Sequence, residues 1–282
     1  MFKLIKHAVF TAIDLFGTQL IPLMKDNAKK NLEIKKIKLP ILKQQHKEGL
    51  RIVHISDLHI GFQYQYEDLI QHIEMINALE PHIVAITGDL FDNLRTIKQN
   101  PFKYIPLLKT IKASHGVYFC YGNHDQRIFM SNDYLDILSN SNITLLNNYG
   151  HTIEYDGELI YLCGTDDIIN ASGNISQALS NRPHQNMPTI VLVHEGDYAD
   201  FTKRFKVDLQ LSGHSHGGQI RLPIVGALVK PKLGSKYVKG LYKLKYKKHR
   251  MYLHVSKGLG TTHLPIRLFC KKDITLITLN KK

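Results

Sequence analysis

Three observations predict an α/β chain organised as one main domain. Short apolar runs rich in β-branched residues alternate with segments of helical period. The principal runs end in Gly, Asp, Asn or His, so the strand ends carry chemistry as well as turns. At 282 residues, 43% of them hydrophobic, the chain can bury one sizeable core without repeats or disulfides.

The elements follow in chain order. On a helix over residues 1–24, Lys3, His7, Thr11, Asp14 and Thr18 fall on one narrow polar stripe. Leu4, Ile5, Val9, Phe10, Ile13, Leu15 and Phe16 make the remainder apolar. Asp14 interrupts the run, no small-x-small cleavage site follows, and there is no twin arginine, so a cleaved signal is disfavoured. The run is too short to span a bilayer before Lys25. An amphipathic helix at a membrane interface is the expectation, with packing on the domain's own surface as the alternative. Residues 25–49 are a basic linker or lead-in strand, and the main domain is placed at 50–282.

In that domain, residues 50–55 are a buried strand running into Asp57 and His59, which an extended backbone would present on one side. Residues 66–80 put Leu69, Ile73, Ile76 and Leu79 on one helical face and stop at Pro81. A strand over 82–87 meets Gly88-Asp89, and one over 117–121 meets Gly122-Asn123-His124-Asp125. Residues 106–112 and 132–139 are short helices. Residues 152–156 and 159–163 form a hairpin on a type I′ turn at Asp156-Gly157, entering a second sheet. Strands over 189–193 and 207–212 lead to His194-Glu195 and Gly213-His214-Ser215-His216. Alternating strands over 242–247 and 251–255, with a turn at 247–250, complete the set.

The formal net charge is +13, unevenly placed: between Asp208 and Asp273 there are 14 Lys and Arg and no acidic residue. Such a field draws anions, whether phosphorylated substrates, nucleic acid or an anionic membrane. A solvated strand face is the plainer account of the individual lysines. Cys120, Cys163 and Cys270 are scattered and read as buried thiols of a reducing compartment, which points to the cytoplasm, with a peripheral position on the inner face of the cell membrane.

Five strand ends converging on Asp, Asn and His are improbable as a packing accident, and one shared site at the strand C-termini accounts for all five. The blocks Asp57-x-His59, Gly88-Asp89, Gly122-Asn123-His124-Asp125, His194 and Gly213-His214-x-His216 resemble, in order, the signature of the calcineurin-like metallophosphoesterases. Residues 213–219 and 258–267 look like the bacterial branch that includes the YkuE and YaeI phosphoesterases. The resemblance implies a four-layer α/β/β/α sandwich of two mixed sheets. It also implies that Asp57, His59 and His216 hold one metal, that Asn123, His194 and His214 hold a second, and that Asp89 bridges them.

Oxygen and imidazole donors without thiolate favour Mn, Fe or Zn. Two divalent ions bring four positive charges against two from Asp57 and Asp89, so the site is net positive and suits a phosphoryl group and an attacking hydroxide. The expected reaction is in-line hydrolysis of a phosphodiester or pyrophosphate. His124 is the expected acid for the leaving alkoxide, Asp125 its orienting partner, and Glu195 a support for His194. His263 and Arg267 are candidate substrate-phosphate contacts. The expected partner is a phosphorylated small molecule or lipid, with an anionic membrane surface beside it; no protein partner is inferable. Alternatives are a membrane-surface pyrophosphatase of a lipid-linked or nucleotide-sugar substrate, and a non-catalytic scaffold. A nucleic-acid module using the basic, Tyr-interleaved residues 237–252 is a further alternative and is disfavoured.

Overall fold

The structure is a computed structural model describing residues 31–92, 100–128 and 132–282. The helix expected over residues 1–24, and the start of the basic lead-in, lie outside the described residues. The chain opens with β1 (Leu32–Leu42), β2 (Leu50–Ile55), β3 (Ile83–Thr87), β4 (Val117–Cys120) and β5 (Ile143–Leu145). Next come β6 (Tyr149–Tyr155), β7 (Glu158–Gly164), β8 (Thr189–Glu195) and β9 (Leu209–Gly213). The small hairpin β10 (Arg221–Leu222) and β11 (Gly226–Ala227) precedes β12 (Gly240–Tyr246), β13 (His249–Val255) and β14 (Lys272–Lys281). Two six-stranded sheets result, ordered β1-β14-β2-β3-β4-β5 and β12-β13-β9-β8-β7-β6.

Strands covered on both faces need apolar residues at every position, which is why β3 and β8 read as continuous runs. Successive side chains still point to opposite faces. Val84 and Ile86 pack under the helices, against Leu69, Ile73 and Ile76 of helix Tyr66–Asn77 and Tyr134 and Ile137 of helix Asn132–Asn140. Ile83 and Ala85 face the other sheet, where they join Ile190, Leu192, Leu209 and Leu211. Val191 and Val193 point outward to a third cluster with Ile175 and Ala178. The order is therefore helix, sheet, sheet, helix, and both sheets are mixed because β14 and β6 each pair antiparallel to a neighbour.

Several boundaries differ from expectation. Helix Tyr66–Asn77 starts on Gln65, whose N–H donates to Asp68 Oδ2 at 2.8 Å, and it stops before residue 80 because Glu80 adopts left-handed backbone at φ 47° ahead of Pro81. The helix expected over 106–112 is the short Ile105–Leu108, preceded by a tight 3₁₀ turn over Pro101–Tyr104. The hairpin turn is as expected, with Asp156 at φ 48° and Gly157 at φ 78°, but its strands are longer. The turn expected over 247–250 is shorter, since β13 begins at His249. Cys120, Cys163 and Cys270 are buried free thiols. Among the described residues, no helix is long and apolar enough to cross a membrane.

Candidate metal centre

The candidate ligands sit just past the C-terminal ends of β2, β3, β4 and β9, with His194 inside β8. The expectation that an extended backbone pairs Asp57 with His59 is corrected. β2 ends at Ile55, and both residues are left-handed, at φ 52° and 49°. Asp89, His214 and His216 share that conformation, at φ 53°, 68° and 50°. Each such non-glycine residue costs about 1–2 kcal/mol, so a concentration of strain marks this spot. The conformations are held by the backbone: Asp57 N donates to Gly88 O and His59 N to Asp89 O, both at 3.0 Å. A methyl added at Gly213 would collide with Asp57, and one at Gly122 with Asp89. His194 falls where the β8–β9 register slips between Leu192 and Glu195, on the face of β8 that carries Ile190 and Leu192 towards the first sheet.

Among the described residues, three three-residue clusters offer donor atoms within 4.8 Å of one another: Asp57, His59 and His216; Asp57, Asp89 and His194; and His59, Asp92 and His124. His216 Nε2 lies 3.4 Å from Asp57 Oδ1 and 3.1 Å from His59 Nε2. Asp89 Oδ2 faces both ways, 3.6 Å from His59 Nε2 and 3.4 Å from His194 Nε2. The His214 ring lies beside that of His194, with centroids 5.0 Å apart. Distal hydrogen bonds orient three of the rings. His59 Nδ1 faces Asp92 Oδ1 at 3.1 Å, His194 Nδ1 donates to Thr87 O at 2.7 Å, and His214 Nε2 donates to Lys232 O at 2.8 Å. The opposite nitrogen of each is thereby left as a lone-pair donor, the arrangement metal-binding imidazoles adopt.

Two buried atoms of the candidate ligands lack any hydrogen-bond partner, His194 Nε2 and Asn123 Oδ1. Unpaired polar atoms this deep are costly unless something absent from the polypeptide satisfies them, and oxygen and imidazole donors suit a divalent cation. The charges agree. Burial opposes ionisation of Asp89, yet the imidazoles of His194, His59 and His124 hold its carboxyl well below the usual range. The residues present are of the kind that could hold divalent cations.

The structure brings some of the other candidates to the site and sends others away. His124 is there: its ring stands edge-on to His59 at 4.7 Å, and its Nδ1 is 3.4 Å from Asp92 Oδ1 and 3.3 Å from the Asp92 carbonyl. Burial lowers the His124 pKa, but Asp92 and Asp89 outweigh it and the net direction is upward. Asp125 does not orient His124. Its carboxylate accepts from Asp89 N, Gly122 N, Leu90 N and Tyr134 Oη, so it braces the ligand loops. The orienting carboxylate is Asp92, which the sequence reading missed; a second acid three residues after Asp89 was the only signal. Glu195 is buried and accepts from Ile168 N at 3.4 Å; burial and the Asp167 carboxyl push its pKa well up, while Thr87 O supports His194. Exposed His263 reaches the rim, its ring 6.4 Å from that of His124. Arg267 lies beneath the site rather than on its exposed rim. It is buried, and its guanidinium donates to the carbonyls of Lys257, Gly258, Gly260 and His216.

Comparison with known proteins agrees with this geometry. Residues 50–218 match the Calcineurin-like phosphoesterase family. The uncharacterized metallophosphoesterase YkuE of Bacillus subtilis (strain 168) is 36% identical over 82% of this chain and 79% of its own length. The phosphodiesterase YaeI of Escherichia coli (strain K12) is 26% identical over 81% of this chain and 82% of its own. Among solved structures, the NAD nucleotidase NadN of Haemophilus influenzae superposes with a TM-score of 0.51 at 16% identity. That match covers 74% of this chain and half of NadN, and it speaks to the fold alone. With more than half of its length matching the family and YkuE similar over most of both chains, the chain belongs to the calcineurin-like phosphoesterase family.

Proposed function

We propose that the chain hydrolyses a phosphodiester or pyrophosphate at a dinuclear centre. Asp57, His59 and His216 would hold one ion, Asn123, His194 and His214 the other, with Asp89 shared. When bound, Mn, Fe or Zn ions there supply Lewis acidity to a phosphoryl oxygen and hydroxide at neutral pH. The polypeptide supplies the rest. Asp92 accepts the hydrogen bond from Nδ1–H of the protonated His124 ring, which leaves Nε2–H as the group that delivers a proton to the leaving alkoxide. Thr87 O and Lys232 O hold His194 and His214 in the tautomers that bind cations. The observation that carries the reading is the pair of orphaned buried atoms, His194 Nε2 and Asn123 Oδ1. The diester preference draws on the similarity to YaeI.

The test is metal content together with turnover of bis-p-nitrophenyl phosphate and p-nitrophenyl phosphate, with Mn²⁺ supplied. About two metals per chain and faster diester turnover are expected, both lost in Asp89→Asn. Metal-free protein with no turnover of either ester would favour a scaffold instead.

A further inference from the structure

The hairpin that follows the last ligand motif is built against its own stability. β10 and β11 are joined through Pro223, Ile224 and Val225, and Val225 N donates to Pro223 O at 2.7 Å. At the centre of this tight turn Ile224 has φ 69°, a left-handed backbone that a β-branched residue adopts with difficulty and that Gly or Asn accepts readily. Its side chain stands wholly in solvent, at 108% relative exposure. Phe269 repeats the pattern at φ 50° and 68% exposure. The two share one surface, because Arg221 N donates to Leu268 O and Leu268 N to Gln219 O, both at 3.0 Å. Exposed Val225 and Val229 extend it. Strained backbone that displays apolar side chains to water is costly twice over, and a receiving phase would recover the second cost.

The flanking charge indicates the phase. Lys230, Lys232, Lys239 and Lys271 are exposed around these residues, and no Asp or Glu occurs between Asp208 and Asp273. Lys239 is depressed by partial burial and by nearby Arg221 and Lys257, which places these cations close together. We propose that Ile224, Val225, Val229 and Phe269, flanked by these lysines, form a wedge that seats the protein on an anionic lipid bilayer. An apolar tip with a mainly cationic rim, in which Glu33 is paired with Lys257, complements acyl chains below phosphate headgroups. The loop running on from the hairpin brings Lys232 O to His214, so a seated wedge sets the rim of the metal pocket at headgroup level.

The test uses the full 282-residue protein, co-sedimented with vesicles of phosphatidylglycerol and phosphatidylcholine in equal parts or of phosphatidylcholine alone. The parent is expected to partition onto the anionic vesicles, less so at high salt. Ile224→Asp combined with Phe269→Asp should lower partitioning by about tenfold or more, with turnover of soluble bis-p-nitrophenyl phosphate within about twofold of the parent. Binding is read separately from turnover, so a failure of the phosphoesterase reading leaves this result interpretable. Ile224→Gly guards against a misfolded variant: it should raise Tm by relieving the turn and still weaken vesicle binding. A parent that ignores anionic vesicles would overturn the proposal and return the surface to a protein partner. Equal partitioning of parent and Asp variants would overturn it as well, by moving the membrane contact elsewhere in the chain.

Discussion

Asp92 and Arg267 illustrate how little a residue's type reveals about its task until its neighbours are known. Asp92 bridges the distal nitrogens of His59 and His124, so Asp92→Asn should resemble His124→Ala. Both are expected to slow esters with poor leaving groups by about a hundredfold or more and nitrophenyl esters far less, since the lost function is proton delivery. Equal losses on both substrates would assign His124 another role. Arg267, a plausible phosphate clamp by composition, instead ties Lys257, Gly258, Gly260 and His216 together from within. Arg267→Ala leaves the Lys257, Gly258 and Gly260 carbonyls without this donor, while His216 O keeps Gln219 N, a cost of at least about 3 kcal/mol at 1–3 kcal/mol per buried group. A lower Tm with nearly unchanged KM is the expected signature, and a raised KM with unchanged Tm would restore the substrate role. Arg267→Lys should recover only part, because an ammonium lacks the planar fork.

At the scale of elements, the lysines that dominate the composition find a structural use. β1 and β12 each form one outer edge of a sheet, and they expose Lys36, Lys38, Lys243 and Lys245 along their length. Charged edges deter strand addition by another chain, so the solvated-face account of these lysines is the better one. The β1–β2 connection carries a latch to the second sheet. His46 sits 2.9 Å from Glu158 and 3.1 Å from Asp156, and Glu158 also accepts from the backbone of Lys43 and Gln44. Glu158, with help from Asp156, raises the His46 pKa against burial; His46 in turn lowers Glu158, again against burial. A raised histidine stabilises fully below its unfolded pKa of about 6.5 and loses this as pH rises through the folded value. A lowered glutamate stabilises above its unfolded pKa of about 4.3 and loses this as pH falls through the folded value. The latch is therefore strongest between about pH 4.3 and 6.5. The Tm difference between the parent and His46→Gln should be largest there and shrink towards pH 8; a difference that grew with pH would contradict the pairing.

For the molecule as a whole, what could be read in advance divides by range. Asp57, Asp89, Asn123, His194, His214 and His216 were legible because strand ends announce themselves locally and the residues after them have no packing reason to be Asp or His. The left-handed backbone at four of these positions was not, since nothing in Asp57 or His216 as residue types encodes φ. Nor was the closure of the first sheet, where β14, from the far end of the sequence, inserts between β1 and β2, parallel to one and antiparallel to the other. The family match ends at residue 218, yet β1 and β14 complete one sheet and β12 and β13 the other. This makes a sharp prediction for a chain cut after Lys271. β14 contributes Ile274 and Leu276 to the helix-side core and Ile277 and Leu279 to the layer between the sheets. At about 1.5–3 kcal/mol per buried side chain, losing these four removes about 6–12 kcal/mol, the same order as the 5–15 kcal/mol that holds a domain folded. Truncation should abolish the cooperative thermal transition in circular dichroism and, with it, metal retention. A truncated chain that still melts cooperatively within a few degrees of the parent would show that the second sheet and the ligand loops stand without β14, and that the first sheet is an annex to the site.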